Sequence, residues 1–200
     1  MTHEIRLDTI SVSEMDNNVY LLSHDGEGLL IDAADDAPAI SSLISRAGVE
    51  VTCVATTHRH NDHVRALKEV LDSTGAVHVA SRLDAPALPA PVDHELDHGD
   101  VLHWAGLEIP VIVLRGHTPG GLVLDVTIDG VHHLFTGDSL FPGGVGKTTG
   151  GNDFTRLLND VVTRVFTVYP DDTVVHPGHG APTTLGAERP QLDQWRERGW

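Results

Sequence analysis

Thr57-His58-Arg59-His60-Asn61-Asp62-His63 places three imidazoles and one carboxylate within six residues, at the end of the β-branched run 51–57. On an extended segment, residues two apart face the same way, so His58 and His60 point at one centre. The stretch 64–71 has Val64, Leu67, Val70 and Leu71 at one-face spacing and predicts a helix, with Asn61 or Asp62 as its cap. Turning into that helix swings Asp62 and His63 toward a neighbouring point. Neutral ring nitrogens and carboxylate oxygens are the donors that zinc, iron and manganese accept.

The same placement recurs downstream. His117 follows the run 107–114, Asp138 follows 131–136, and His176-Pro177-Gly178-His179-Gly180 follows 173–175. Each candidate stands beside glycine, which lets the backbone turn sharply or approach closely and aims the neighbouring side chain into a shared cleft. Around these positions the segments 5–10, 19–23, 29–32, 51–57, 77–80, 107–114, 122–128, 131–136 and 173–175 read as strands. Segments 38–47, 64–71 and 153–168 read as helices. Residues 24–28 and Asp129-Gly130 mark hairpins, and Pro86, Pro89 and Pro91 predict an irregular stretch. With no repeat and no linker, residues 1–200 read as one domain of mixed α and β layers.

Composition narrows the function. Of 200 residues 40 % are hydrophobic and 21 % charged, the balance of a soluble globular chain with one sizeable core. A net charge of -16 excludes generic binding to nucleic acid or to an anionic membrane. The single cysteine, Cys53, excludes an internal disulfide framework and a cysteine-based zinc knuckle. The N-terminus has no basic start followed by an apolar run, and no stretch reaches the roughly 18 apolar residues of a membrane span, so a cytoplasmic location is expected. The count that stands out is 14 histidines.

In these motifs the chain resembles the metallo-β-lactamase superfamily, whose signature is His-x-His-x-Asp-His followed by a His, an Asp and a final His. The likeness runs from Leu29-Leu30-Ile31-Asp32 to Pro177-Gly178-His179-Gly180. It implies a four-layer αββα sandwich of two mixed sheets, with metal at one sheet edge. It further implies one divalent ion held by His58, His60 and His117, a second held by Asp62, His63 and His179, and Asp138 bridging both. Zinc is expected, with iron or manganese compatible. Asp32, at a strand end, is expected to orient a ligand histidine or its loop rather than to bind metal.

Within the superfamily, the β-lactamases proper carry cysteine where Asp138 stands. The oxygen-reducing diiron members carry Glu where His60 stands, and the RNA-processing members need additional domains. The glyoxalase II-like branch remains. In that branch a loop lysine contacts the thiol portion of the substrate, and Lys147 in Gly143-Gly144-Val145-Gly146-Lys147 occupies its place. The implied reaction is attack of a metal-bridging hydroxide, oriented by Asp62, on an acyl thioester of a small thiol. Only about twenty residues follow His179, and Thr149 stands where the branch often has tyrosine. A single basic residue at the mouth then suits a thiol less negative than glutathione, such as mycothiol.

Two other readings use the same residues. A persulfide dioxygenase would hold one iron with His58, His117 and Asp138, and a non-catalytic metal-binding regulator would need no substrate. The expected partner is a small-molecule thioester, the chain being a monomer or homodimer. His3, His24, His78, His94, His98, His103, His132, His133 and His176 read as surface or hairpin histidines, and Trp195 and Trp200 as packing residues.

Overall fold

The computed structural model of the protein describes residues 4–199. Near the N-terminus, β1 (Arg6–Val12), β2 (Asn17–His24) and β3 (Glu27–Ile31) form an antiparallel meander. Its second corner is the two-residue turn Asp25-Gly26, with φ of 50° and 85°. Such turns match the twist of the strands they join, and this one is tighter than the expected connection over 24–28. The chain then crosses over through α1 (Ala37–Ala47) to β4 (Glu50–Thr56) and through α2 (Leu67–Thr74) to β5 (Val77–Ser81). A short parallel strand, β6 (His94–Leu96), closes the sheet in the order β1-β2-β3-β4-β5-β6.

The second sheet opens with β7 (Val101–Trp104), β8 (Leu107–Leu114), β9 (Gly121–Ile128) and β10 (Val131–Gly137) in antiparallel sequence. After a ribbon of β11 (Leu140–Phe141) and β12 (Gly144–Val145), α3 (Gly151–Val161) leads to β13 (Val174–Pro177), parallel to β10. β14 (Thr183–Thr184), α4 (Leu185–Glu188) and α5 (Leu192–Arg198) complete the chain.

Alternation along the strands sorts the apolar side chains into three cores. Leu22, Ile31, Ala55 and Val79 of the first sheet meet Ile109, Leu122, Leu124 and Phe135 of the second. Their neighbours Leu21, Leu30 and Val54 turn outward onto Ile40, Leu43, Leu67 and Val70 of α1 and α2. On the far side, Leu114, Val123, Leu134 and Val175 pack against Leu157, Val161, Phe166 and Trp195. The layers are therefore α, β, β, α, as the resemblance implies. Both faces of the central strands are buried, so their sequences read as nearly unbroken apolar runs.

Several boundaries differ from the sequence expectation, each for a local reason. The second helix begins at Leu67, because the N–H groups of Arg65 and Ala66 donate to the carbonyls of Ala34 and Ala33 after β3. Asn61 and Asp62 do not cap it; Asn61–His63 forms a separate 3-10 turn. Regular α-helix in α3 stops at Val161, and Val162–Phe166 is a wider turn in which Thr167 donates to the carbonyl of Val162. β13 runs on to Pro177 because Phe135 and Gly137 supply its parallel partners. β6 and β7 were not expected; at three and four residues they are too short for a periodic signal.

Trp195 is fully buried beside Phe166, with ring centroids 6.1 Å apart. Trp200 lies outside the described residues. Replacing Trp195 by Ala is expected to cost about 3–5 kcal/mol, read as a lowered midpoint of urea unfolding. An unchanged midpoint would show that α5 is not part of the cooperative core.

Candidate metal centre

Strand ends deliver every functional side chain to one edge of the sandwich. Asp32 follows β3, His58 follows β4, His117 follows β8, Asp138 follows β10 and His179 follows β13. Ligating atoms of His58, His60 and His117 lie within 4.8 Å of one another, as do those of Asp62, His63 and His179. Asp138 stands between the two sets. Its Oδ2 is 4.0 Å from His58 Nε2, 3.6 Å from His117 Nε2 and 3.4 Å from His179 Nε2, and its Oδ1 is 3.4 Å from His63 Nε2. Asp62 Oδ2 lies 3.4 Å from His63 Nε2 and 3.3 Å from His179 Nε2. All seven residues proposed as ligands from the sequence are brought together.

The outer ring nitrogens are occupied, which sets the tautomers. His63 Nδ1 donates to Asp32 Oδ2 at 3.0 Å, His117 Nδ1 to the Lys147 carbonyl at 2.6 Å and His179 Nδ1 to the Met15 carbonyl at 2.8 Å. Thr57 Oγ1 donates to Asp32 Oδ2 at 2.6 Å and so accepts from His58 Nδ1 at 3.0 Å. In each of these four histidines Nε2 is therefore the ring nitrogen that faces the centre. His58 Nε2, His117 Nε2 and Asp138 Oδ1 are buried without a hydrogen-bond partner of good geometry. Buried polar atoms left unpaired are costly, and a convergent set of nitrogen and oxygen lone pairs fits divalent cations.

Burial pushes the His58 imidazole well below its ordinary pKa, and burial with the neighbouring His117 lowers His60. Burial acts the same way on His63, but Asp138 and Asp32 outweigh it and push this ring up to about 10. For Asp138 burial favours the protonated form, yet His179 and His63 overcome it and hold the carboxyl far below its usual range. Asp62 is lowered too, the Asn17 amide and His63 outweighing burial. Both carboxylates are therefore held ionised.

Asp32, expected from the sequence to orient a ligand histidine or its loop, holds the ligand loops together with residues that the sequence did not single out. Asp32, at φ 58°, takes the Thr57 N–H at 2.7 Å as well as the Thr57 hydroxyl and His63. Asp84 accepts from the N–H of Arg59 at 3.1 Å and of Gly120 at 3.0 Å, tying the first histidine loop to the loop of His117. Asp160 grips Arg115 through its backbone N–H at 3.1 Å and two guanidinium bonds at 2.8 Å, fixing the other end of that loop. Asn17 Nδ2 donates to Asp62 Oδ2 at 2.9 Å. A Cβ at Gly178 would collide with Asp138 Oδ1 and one at Gly146 with the Asp138 carbonyl, so glycine is required at both. Of these, Asp32 at its strand end and the glycines left a signal in the sequence.

Lys147 is exposed and lines a cavity of about 600 Å³ with Phe141, Pro142, Val145, Thr148 and Arg198. A second cavity, about 560 Å³, is lined by Arg59, His60, Leu83, His117, Thr149 and Arg156, among others. The expectation of a single basic residue at the mouth is therefore overturned: α5 folds back to bring Arg198, and the His58–His60 loop and α3 contribute Arg59 and Arg156. Three histidines expected at the surface or in hairpins are buried, His24 beside its expected hairpin and the other two inside the fold. His78 bridges Thr56 Oγ1 and the Pro91 carbonyl, His176 stacks on Phe135 at 4.7 Å, and His24 packs near Trp104. His3 lies outside the described residues.

The sequence profile of the metallo-beta-lactamase superfamily matches residues 12–179. This chain belongs to that superfamily. Its relatives include a hydroxyacylglutathione hydrolase of Aeromonas salmonicida (strain A449), 31 % identical over an alignment of 167 residues, with 82 % of this chain and 61 % of the relative covered. The chain thus spans about three fifths of that protein's length. Among solved structures, the BLEG-1 B3 metallo-beta-lactamase superposes with a TM-score of 0.82 at 25 % identity, covering 92 % of this chain and 97 % of that one. TTHA1623, solved in a di-iron-bound form, gives 0.77 at 27 % identity, with 91 % and 96 % covered. Like its superfamily, the chain carries His and Asp clusters for divalent metal. No helix among the described residues is long and apolar enough to cross a membrane.

Asp32→Ala is expected to lower affinity for divalent metal about 10–100-fold. Metal content after equilibration against chelator-buffered metal checks this, with the circular dichroism spectrum as the folding control. Parental affinity in a folded variant would show that Asp32 does no orienting.

Proposed function

We propose that this superfamily member hydrolyses acyl thioesters of a small thiol at a binuclear centre, with His58, His60 and His117 on one ion, Asp62, His63 and His179 on the other, and Asp138 shared. The observation that carries this reading is the Asp138 carboxylate standing between two three-residue donor sets whose Nε2 atoms converge on it. A relative named hydroxyacylglutathione hydrolase supports the thioester, and a di-iron-bound neighbour supports the pair of ions. Zinc is the ion we favour; iron or manganese suits the same nitrogen and oxygen donors.

When bound, divalent ions supply Lewis acidity toward a carbonyl oxygen and lower the pKa of water from 15.7 toward about 7. The chain's own contribution is orientation. Asp62, anchored by Asn17, accepts a hydrogen bond from the attacking water and aims its lone pair at the thioester carbonyl. The Nδ1 contacts of His58, His63, His117 and His179 keep the ligand rings from turning. Lys147 faces the thiol portion from the rim. A thiol leaves with a pKa of about 8.5 and needs little proton donation, so no general acid is required. We take the enzyme to act in the cytoplasm on a small molecule, as monomer or homodimer.

Purified protein of measured metal content, assayed on thioesters of glutathione, mycothiol and coenzyme A, tests the proposal. Cleavage of at least one is expected, lost on chelation and restored by metal. Asp138→Ala is expected to lower kcat/KM by more than about a hundredfold together with metal retention. One iron per chain, with persulfide-dependent oxygen uptake and no thioester cleavage, would overturn it in favour of a dioxygenase.

A further inference from the structure

The second cavity shares a wall with the metal centre, since His60 and His117 line it. Thr148 lines the Lys147 cavity and Thr149 this one, so the backbone at 148–149 runs between the two. A thioester has two arms that meet at the reacting carbonyl, and two cavities flank the centre. We infer that the second cavity receives the acyl arm, that this arm ends in a carboxylate, and that Arg59 binds it. The inference rests on the thioester hydrolase reading.

Among the described residues Arg46, Arg59 and Arg196 have no carboxylate partner, and of these Arg59 alone lines the second cavity. Arg6, Arg65, Arg82, Arg115, Arg164 and Arg189 each pair with a carboxylate. The Arg59 guanidinium pairs with none among the described residues, although Asp84 fixes its backbone N–H. Flanked in sequence by His58 and His60, its base is held in register with the ligand loop. Arg156, on the same cavity, is 55 % exposed and only loosely paired with Asp153 at 3.7 Å, whose other oxygen accepts from Thr149. Asp153 lines the cavity too, but its carboxylate is engaged by Arg156 and Thr149, so in a chain of net charge -16 the uncommitted Arg59 guanidinium makes this wall a local reversal of the field. A guanidinium fork matches a carboxylate with two parallel hydrogen bonds. Leu83, 47 % exposed, gives the cavity an apolar flank for methylene groups. The substrate class is therefore a monothioester of a short dicarboxylic acid.

Glutaryl and pentanoyl thioesters of the uncharged thiol N-acetylcysteamine differ in the terminal carboxylate and test the inference on the metal-loaded enzyme. The expected glutaryl preference in kcat/KM is about tenfold, the equivalent of 1.4 kcal/mol. In Arg59→Gln the preference falls toward one and in Arg59→Lys part of it returns, while added salt compresses it in the parent. A parental ratio near one, or an Arg59→Gln variant that slows both substrates by the same factor, overturns the inference. If neither thioester is cleaved, the hydrolase reading is decided separately on the glutathione, mycothiol and coenzyme A thioesters, and calorimetry with free glutarate and pentanoate still tests the subsite. Tighter glutarate binding that is lost in Arg59→Gln supports the subsite; equal affinities overturn it.

Discussion

The Asp32 carboxylate, reaching the Thr57 N–H, the Thr57 hydroxyl and His63 Nδ1, joins the two halves of the centre before any metal is considered. Through Thr57 it orients His58, in the first donor set, and directly it orients His63, in the second. Five imidazoles and two carboxylates gathered in one place lose much of their hydration, and their lone pairs oppose one another. Such a cluster persists only when the surrounding structure over-determines it. Asp32 itself adopts a left-handed backbone, a conformation that Asp tolerates better than most residues and that turns its side chain back across the end of β4.

Two further buried carboxylates repeat this role at longer range. Asp84 ties the His58–His60 loop to the loop of His117, and Asp160 anchors that loop to α3. The acid surplus of the sequence is thus partly internal, serving as hydrogen-bond acceptors for backbone N–H groups that the strand ends leave open. The sandwich supplies the rigidity behind them. Phe135, Leu134 and Val175 are fully buried just before the strands release Asp138 and His179, so those side chains start from fixed points.

The motif Thr57 to His63 and the glycine-flanked His117, Asp138 and His179 were legible because their chemistry is unusual and their positions coincide with the ends of apolar runs. The four-layer arrangement followed from resemblance, and the central strands followed from their apolar pattern. Less was legible where stabilisation is tertiary. β6, the polar His94-Glu95-Leu96, is a strand only because β5 offers it backbone partners. Val64 to Ala66 look helical in sequence, yet the Val64 N–H closes the 3-10 turn on the Asn61 carbonyl and those of Arg65 and Ala66 are claimed by the loop after β3. His78 and His176 look like surface histidines because nothing nearby in sequence announces the Pro91 carbonyl or the Phe135 ring that receives them.

The sequence by itself determined the superfamily, the seven candidate ligands and the exclusion of an internal disulfide, because these depend on residue type and local spacing. The tertiary structure decided which nitrogen faces the centre in four of the five rings, that Asp84 and Asp160 join Asp32 in holding the loops, and that Arg59, Arg156 and Arg198 join Lys147 on the walls of the two cavities. Those outcomes are set by hydrogen bonds and close approaches between segments up to 164 residues apart, such as His179 with Met15, and no local pattern encodes them.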